Sequence, residues 1–282
     1  MKKNITLALL VLVGVCSSSA RSQLVGNFDD IEFWSGSGTN RAALVLQWND
    51  GLHPVSLAWG YRWNGDASGL QMVKAIAGST KIYDLEGNIL DTIAGSDPRL
   101  ALGLLRYSFG DAVQSITLAG DGPIRTQADW LAGYWEYYIF GGHFLYYDWY
   151  TDGMVSYDQD GSVEYPGAGW LYAPVGGGDR PLVDGAWDAL SFAPDFAGQE
   201  LQQPEAASLP LPEITLQLSG AYPVVSFVSV IGLSYQLLYS DHLAEPFVPL
   251  GSPAQGTGGV LQFADETPDL PSQRFYRVSV SP

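Results

Sequence analysis

Between Tyr134 and Tyr150 the chain places ten aromatic residues in 17 positions. A run this dense has to be covered or used, because each ring withdraws about 150–250 Å² from water when it is packed. Gly141-Gly142 divides the run and is a favoured pair for a two-residue hairpin turn. Pairing outward from that turn sets Phe140 opposite His143, Ile139 opposite Phe144, Tyr138 opposite Leu145 and Tyr137 opposite Tyr146. One face then carries Tyr134, Glu136, Tyr138, Phe140, His143, Leu145, Tyr147 and Trp149, and the other Trp135, Tyr137, Ile139, Phe144, Tyr146 and Asp148. Two readings follow. The hairpin is buried on both sides, as continuous apolar strands are, or one face is open and stacks on a sugar or another planar ligand. In the second reading Tyr134, Tyr138, Tyr147 and Trp149 are the rings, and Glu136 and His143 orient the ligand. That face is expected to be the open one, since polar groups are costly to bury unpaired.

Composition narrows the partners. The chain has 282 residues, 30 Asp and Glu against 13 Lys and Arg, and a formal net charge of −17. Hydrophobic residues make up 46% and charged residues only 15%, the reverse of a disordered chain. So large an acidic excess argues against a nucleic-acid partner and against anionic lipid, both of which are bound through clustered Lys and Arg.

The first 20 residues have the three parts of an export signal. Lys2 and Lys3 are the basic end, Ile5 to Cys16 the apolar stretch, and Ser18-Ser19-Ala20 the small residues before a cut after Ala20. The apolar stretch is too short to span a bilayer, which needs about 20 residues, and no later segment is long and apolar enough. A lipoprotein reading through Cys16 competes, but Val15 is not the small residue that such signals place before the cysteine. Cleavage after Ala20 removes the only cysteine, so disulfides, thiolate metal sites and cysteine nucleophiles are not expected. The expected location is secreted, periplasmic or cell-surface.

Aromatic usage divides the rest. All nine Trp lie between Trp34 and Trp187, and none in the last 95 residues. The step suggests two domains, 24–192 and 214–282, joined by a linker over 193–213 that holds Pro194, Pro204, Pro210 and Pro212. Residues 214–282 read as short strands: Ile214–Leu218, Tyr222–Val228, Leu233–Tyr239, Phe247–Leu250, Val260–Phe263 and Phe275–Val280, with a hairpin at 256–259. Regular short strands without helices suggest a small β-sandwich.

In the first domain Ala43–Trp48 and Leu57–Trp63 read as strands. Ser68 caps a helix over Gly69–Ala77 stopped by Gly78, and Ser96-Asp97-Pro98 opens a second helix over Asp97–Leu105. Strands resume after Gly110. The fold class expected is mainly β, with an α+β N-terminal domain containing two short helices and a C-terminal sandwich.

The run "SYQLLYSDHL…PFVPLGSPAQGTGGVLQFADETP…RFYRVSV" resembles the terminal module of many secreted verrucomicrobial and planctomycete proteins, over about 65 residues. The resemblance implies a fibronectin-type or immunoglobulin-like accessory module without catalytic residues. The sorting tail found on some of those proteins is absent. "EFWSGSGTNRAALVLQWNDG…LAWGYRWNGDASGL" resembles an N-terminal domain of the same secreted proteins. "GYWEYYI…GWLYAPVGGGDRPLVDGAWDALSFAP" is similar to the closing segment of transcobalamin-like ligand-binding domains, which implies a small-molecule binder but carries over no site residue.

Catalytic signatures are scarce. His53, His143 and His242 stand apart with no metal-site spacing. No GxSxG elbow is present, and Gly36-Ser37-Gly38 lacks the Lys-Ser/Thr of a phosphate loop. Asp158, Asp160 and Glu164 resemble part of a calcium loop, but the consensus is incomplete. The competing reading is a hairpin of Met154–Tyr157 and Ser162–Tyr165 around an Asp160-Gly161 turn. No cofactor is expected. The function expected is a non-catalytic secreted or surface protein with an aromatic surface for polysaccharide or a small planar ligand. The alternative is an extracellular carbohydrate-active hydrolase using two carboxylates, whose 5–9 Å separation no sequence displays.

Overall fold

The computed structural model describes residues 23–281 apart from 121, 129–131, 210–211, 221, 231–232, 269 and 272. The export segment therefore lies outside the described residues. The chain is mainly β, with a single α-helix among the described residues, and divides into two compact units, 21–208 and 209–282.

The first unit begins with Trp34–Gly36 (β1), Asn40–Gln47 (β2) and Ser56–Trp63 (β3), followed by the helix Gly69–Ile76 (α1). Next come Ala77–Tyr83 (β4), Ile89–Ala94 (β5), Asp97–Tyr107 (β6), Gly110–Gly120 (β7) and Gly122–Ala128 (β8). Gly133–Phe140 (β9), Gly142–Asp148 (β10), Gly153–Gln159 (β11), Leu171–Tyr172 (β12), Ala186–Pro194 (β13) and Glu205–Ala206 (β14) complete it. The central sheet has the order β1-β3-β2-β13-β9-β12, and β14 shares the outer edge of β3 with β1. Its middle strand, β13, runs parallel to β2 and antiparallel to β9, and Ala186 to Ala193 are all buried.

Both faces of this sheet are covered. On one, Ala43, Val45, Ala58, Trp187 and Ala189 pack with Val25, Phe28 and Ile31 of the N-terminal segment and with Tyr165 and Trp170. The other face meets α1 and a five-stranded sheet of order β5-β4-β6-β7-β8. There Trp59 donates from Nε1 to buried Asp97 (2.9 Å), and Arg125 pairs with Asp50 while stacking over Trp48.

Helix α1 forms where Ser68 and Gln71 make a capping box: Ser68 Oγ accepts from the Gln71 amide and Gln71 Oε1 from the Ser68 amide. It ends one residue earlier than expected, because Ala77 already belongs to β4. Gly78 is not its stop. A Cβ there would lie 2.3 Å from the Asp97 carbonyl, so the glycine admits the close approach of β6.

The second helix expected, Asp97–Leu105, is instead the start of β6. Asp97 is held by Trp59 and by a two-point pair with Arg99, which leaves no carboxylate to cap a helix. Leu100, Leu102 and Leu104 are buried in alternation, and that period of two is a strand signal.

Residues 193–208 are not a free linker. Gln47 holds Glu200 and Gln202 through its side chain, Ser56 Oγ donates to the Gln202 carbonyl, Val25 donates to Pro204, and Ala207 is buried. Prolines are compatible with this because the segment runs along the edge of β3, where few of its own amides are needed. Limited proteolysis is therefore expected to leave 193–208 on the Trp-containing fragment and to release a Trp-free fragment beginning after Ser208. Mass spectrometry reads the cut site, and a cut between 194 and 204 would contradict the packing.

In the second unit Thr215–Ser219 (β15), Tyr222–Val228 (β16) and Ser234–Ser240 (β17) are followed by Val248–Pro249 (β18), Ala254–Gln255 (β19), Val260–Ala264 (β20) and Phe275–Ser281 (β21). One sheet is β15-β16-β20; in the other β17 pairs with β18, β19 and β21. Val225 and Phe227 of the first sheet and Tyr235 and Leu237 of the second share a core. The expected hairpin at 256–259 is a crossover: β19 pairs with β17, whereas β20 pairs with β16.

Candidate functional site

The aromatic run does not fold as one hairpin. β9 pairs with β13 and β12 in the central sheet, so Phe140 faces Trp187 and not His143. β10 leaves that sheet and forms a separate two-stranded ribbon with β11, in which His143 faces Asp158, Leu145 faces Ser156 and Tyr147 faces Met154. Gly141 and Gly142 both take positive φ, 75° and 151°. They carry the chain from one sheet to the next and do not close a turn. Arg180 fixes this corner by donating to the carbonyls of Phe140 (3.3 Å) and Gly141.

The same pairing replaces the expected hairpin of Met154–Tyr157 and Ser162–Tyr165. Residues 153–159 are one strand against β10, and Val163 turns away to accept from the Phe28 amide.

The six residues expected to form one open face are thus in two places. Tyr134, Glu136 and Tyr138 share a face of β9 that is largely covered. Glu136 is only 6% exposed. Its two oxygens accept from Tyr134 Oη (2.9 Å) and Tyr138 Oη (2.8 Å), which removes the penalty that made burial look unfavourable. Tyr134 stacks on Phe196, Tyr138 meets Tyr172 edge-on, and Tyr138 also packs against the core. The hydrogen bond to the carboxylate pushes the Tyr134 phenol up to about 12. Burial, then the same carboxylate, raises Tyr138 further. This face is a structural network and not an open platform.

His143, Tyr147 and Trp149 are exposed on the ribbon. Trp149 is 85% exposed, Tyr150 beside it is fully exposed, and Leu145 (65%) and Met154 (63%) lie on the same outward side. Tyr147 and Trp149 meet edge-on with centroids 4.8 Å apart. The inward side is formed by Phe144, Tyr146 and Tyr157, with Arg180 over the Phe144 ring. Carboxylates border the outward side: Asp158 pairs with His143 Nδ1, Asp160 lies 3.6 Å from His143 Nε2, and Asp152 accepts from Tyr147 Oη. Sequence reasoning placed Leu145 here but missed Met154, which only the β10–β11 register brings alongside.

Asp158 and Asp160 thus flank a histidine and are not joined by Glu164, whose backbone bridges to Asn27. Among the described residues no three His, Asp or Glu side chains are grouped to hold a metal ion. No described helix is long and apolar enough to cross a membrane.

The two aromatic regions should separate by stability. Tyr138→Ala removes a half-buried ring and one Glu136 partner, and is expected to cost about 2 kcal/mol, below the 3–5 of a fully buried aromatic. Trp149→Ala should change stability by no more than about 0.5 kcal/mol. Thermal melting decides, and equal losses would mean that the ribbon is packed.

No protein-family model and no curated protein matches the chain.

Proposed function

We propose that the protein is an exported, non-catalytic binding protein whose β10–β11 ribbon contacts a polysaccharide, and that residues 209–282 are a fibronectin-type or immunoglobulin-like accessory module. The observation that carries the proposal is the outward face of the ribbon. Leu145, Tyr147, Trp149 and Met154 are exposed together on a projecting two-stranded element, although the first unit buries three Trp side chains completely. A monomeric protein rarely leaves such a group uncovered without use. Flat rings stack on the apolar faces of pyranose rings, and the bordering carboxylates accept hydrogen bonds from sugar hydroxyls. The same carboxylates repel an anionic polymer, so the ligand is neutral. Two sheets with a shared core in the second unit, and its resemblance to terminal modules of secreted proteins, support the accessory reading.

A glycan array tests the proposal. Retention of a neutral glycan is expected, weakened at least about tenfold by Trp149→Ala and Tyr147→Ala without change in melting temperature. Incubation with the retained glycan should leave it intact, whereas shortened products would establish the hydrolase instead. Retention unaffected by either substitution would overturn the assignment to the ribbon.

A further inference from the structure

The first unit also contains an enclosed space of about 310 Å³, away from the ribbon. Leu57 and Trp59 of β3, Leu118 of β7 and Pro123 of β8 form apolar walls, and Ala206 and Ala207 close one side. The volume lies at the lower end of small-molecule sites. Two arginines face it, but neither offers a free positive charge. Arg125 gives Nε and Nη2 to Asp50 (2.8 and 2.6 Å) and Nη1 to the Pro54 carbonyl, and Arg99 is engaged by Asp97 and Ser208. Both guanidinium–carboxylate pairs are held by further bonds into the fold, so they act as rigid, charge-compensated walls.

We propose that this cavity is a binding site for an uncharged, largely apolar small molecule of about 10–20 non-hydrogen atoms. A carboxylate or phosphate would have to displace Asp50 or Asp97 from its arginine, and a cation would meet two guanidinium groups. An apolar ligand needs neither change. Its surface is covered by Trp59, Leu57 and Leu118, and the segment 205–208 packs over it. The inference is independent of the ribbon and of any glycan.

The test uses N-phenyl-1-naphthylamine, a neutral apolar fluorophore, on the full chain. Saturable one-to-one binding with blue-shifted emission is expected. Ala119→Phe, which fills the cavity from β7, should weaken it at least about tenfold, and Trp149→Ala should leave it unchanged. Should Ala119→Phe fail to fold, Leu118→Trp and hydrogen exchange on the unaltered protein serve in its place. Exchange should then slow on binding in 52–59, 123–128 and 205–208. Non-saturable binding, binding lost with Trp149→Ala, or exchange protection confined to 143–158 would each overturn the proposal.

Discussion

Replacing Arg180 by Met is expected to lower the stability of the first unit by about 3–5 kcal/mol, the range for breaking a buried ion pair by removing one partner. Arg180 and Asp188 are both fully buried, 3.2 Å apart, in the middle of the central sheet. Tyr137 donates its hydroxyl to the same carboxylate, and Arg180 also holds the carbonyls at the corner between β9 and β10. Without the guanidinium, Asp188 is left with one partner in a site that water does not reach. The pH dependence has a definite sign. Burial already raises the Asp188 carboxyl above its ordinary range, against the opposing pull of Arg180. Removing Arg180 raises it further. A carboxyl whose folded pKa exceeds its unfolded value takes up a proton on folding, so the deficit should be smaller near pH 5 than near pH 8. Asp188→Asn in the Arg180→Met background should recover part of the loss. Urea unfolding at the two pH values measures both effects, and a deficit that grows on acidification would contradict the account.

The second large effect is expected in the second unit, from Arg274→Ala. Arg274 bridges Asp241 (2.7 Å) and Asp265 (2.9 Å) and lies 4.1 Å over the Tyr239 ring. Asp265 is fully buried and also accepts from Thr267 and Tyr276. Truncation strands that carboxylate, again at a cost of about 3–5 kcal/mol. Burial alone would raise the Asp265 pKa, but its bonds from Thr267, Tyr276 and Arg274 together hold it below the usual range. The stability tied to a depressed carboxyl is present above its unfolded pKa and is lost as pH falls through the folded value. The unaltered unit should therefore weaken below about pH 4. Arg274→Ala should show a flatter acid limb. Fluorescence of the Trp-free unit, through its tyrosines, follows the transition.

Local chemistry was readable where it was also decisive. Ser68 and Gln71 announce α1 because both halves of the capping box lie in the sequence. β2, β3 and most strands of the second unit announce themselves by alternation bounded by glycine and asparagine. Asp97 misled because Ser-Asp-Pro is a helix start only when its carboxylate is free to cap. Trp59, distant in sequence, claims that carboxylate, and the Leu100-Leu102-Leu104 alternation was the contrary signal. The aromatic run misled for a similar reason. Gly141-Gly142 suits a tight turn taken alone, but β13 offers β9 a longer partner and Arg180 secures the corner that results. Half of the candidate site was therefore visible as residue type, and the division between covered network and exposed ribbon was not.

The position of β13 has a consequence for how the first unit comes into being. It is the middle strand of the central sheet and the next to last strand of the unit, and its Ser191 meets Gln47 across 144 residues of chain. Closing so long a loop costs entropy before any contact repays it, and folds dominated by such pairings form slowly. β2 and β3 can meet early as a hairpin, and so can β10 and β11, but the sheet that joins them waits for the strand between. A growing chain that has reached residue 180 holds most of its tryptophans and no completed central sheet to bury them in, so chaperone capture in that interval, and not final stability, governs its yield.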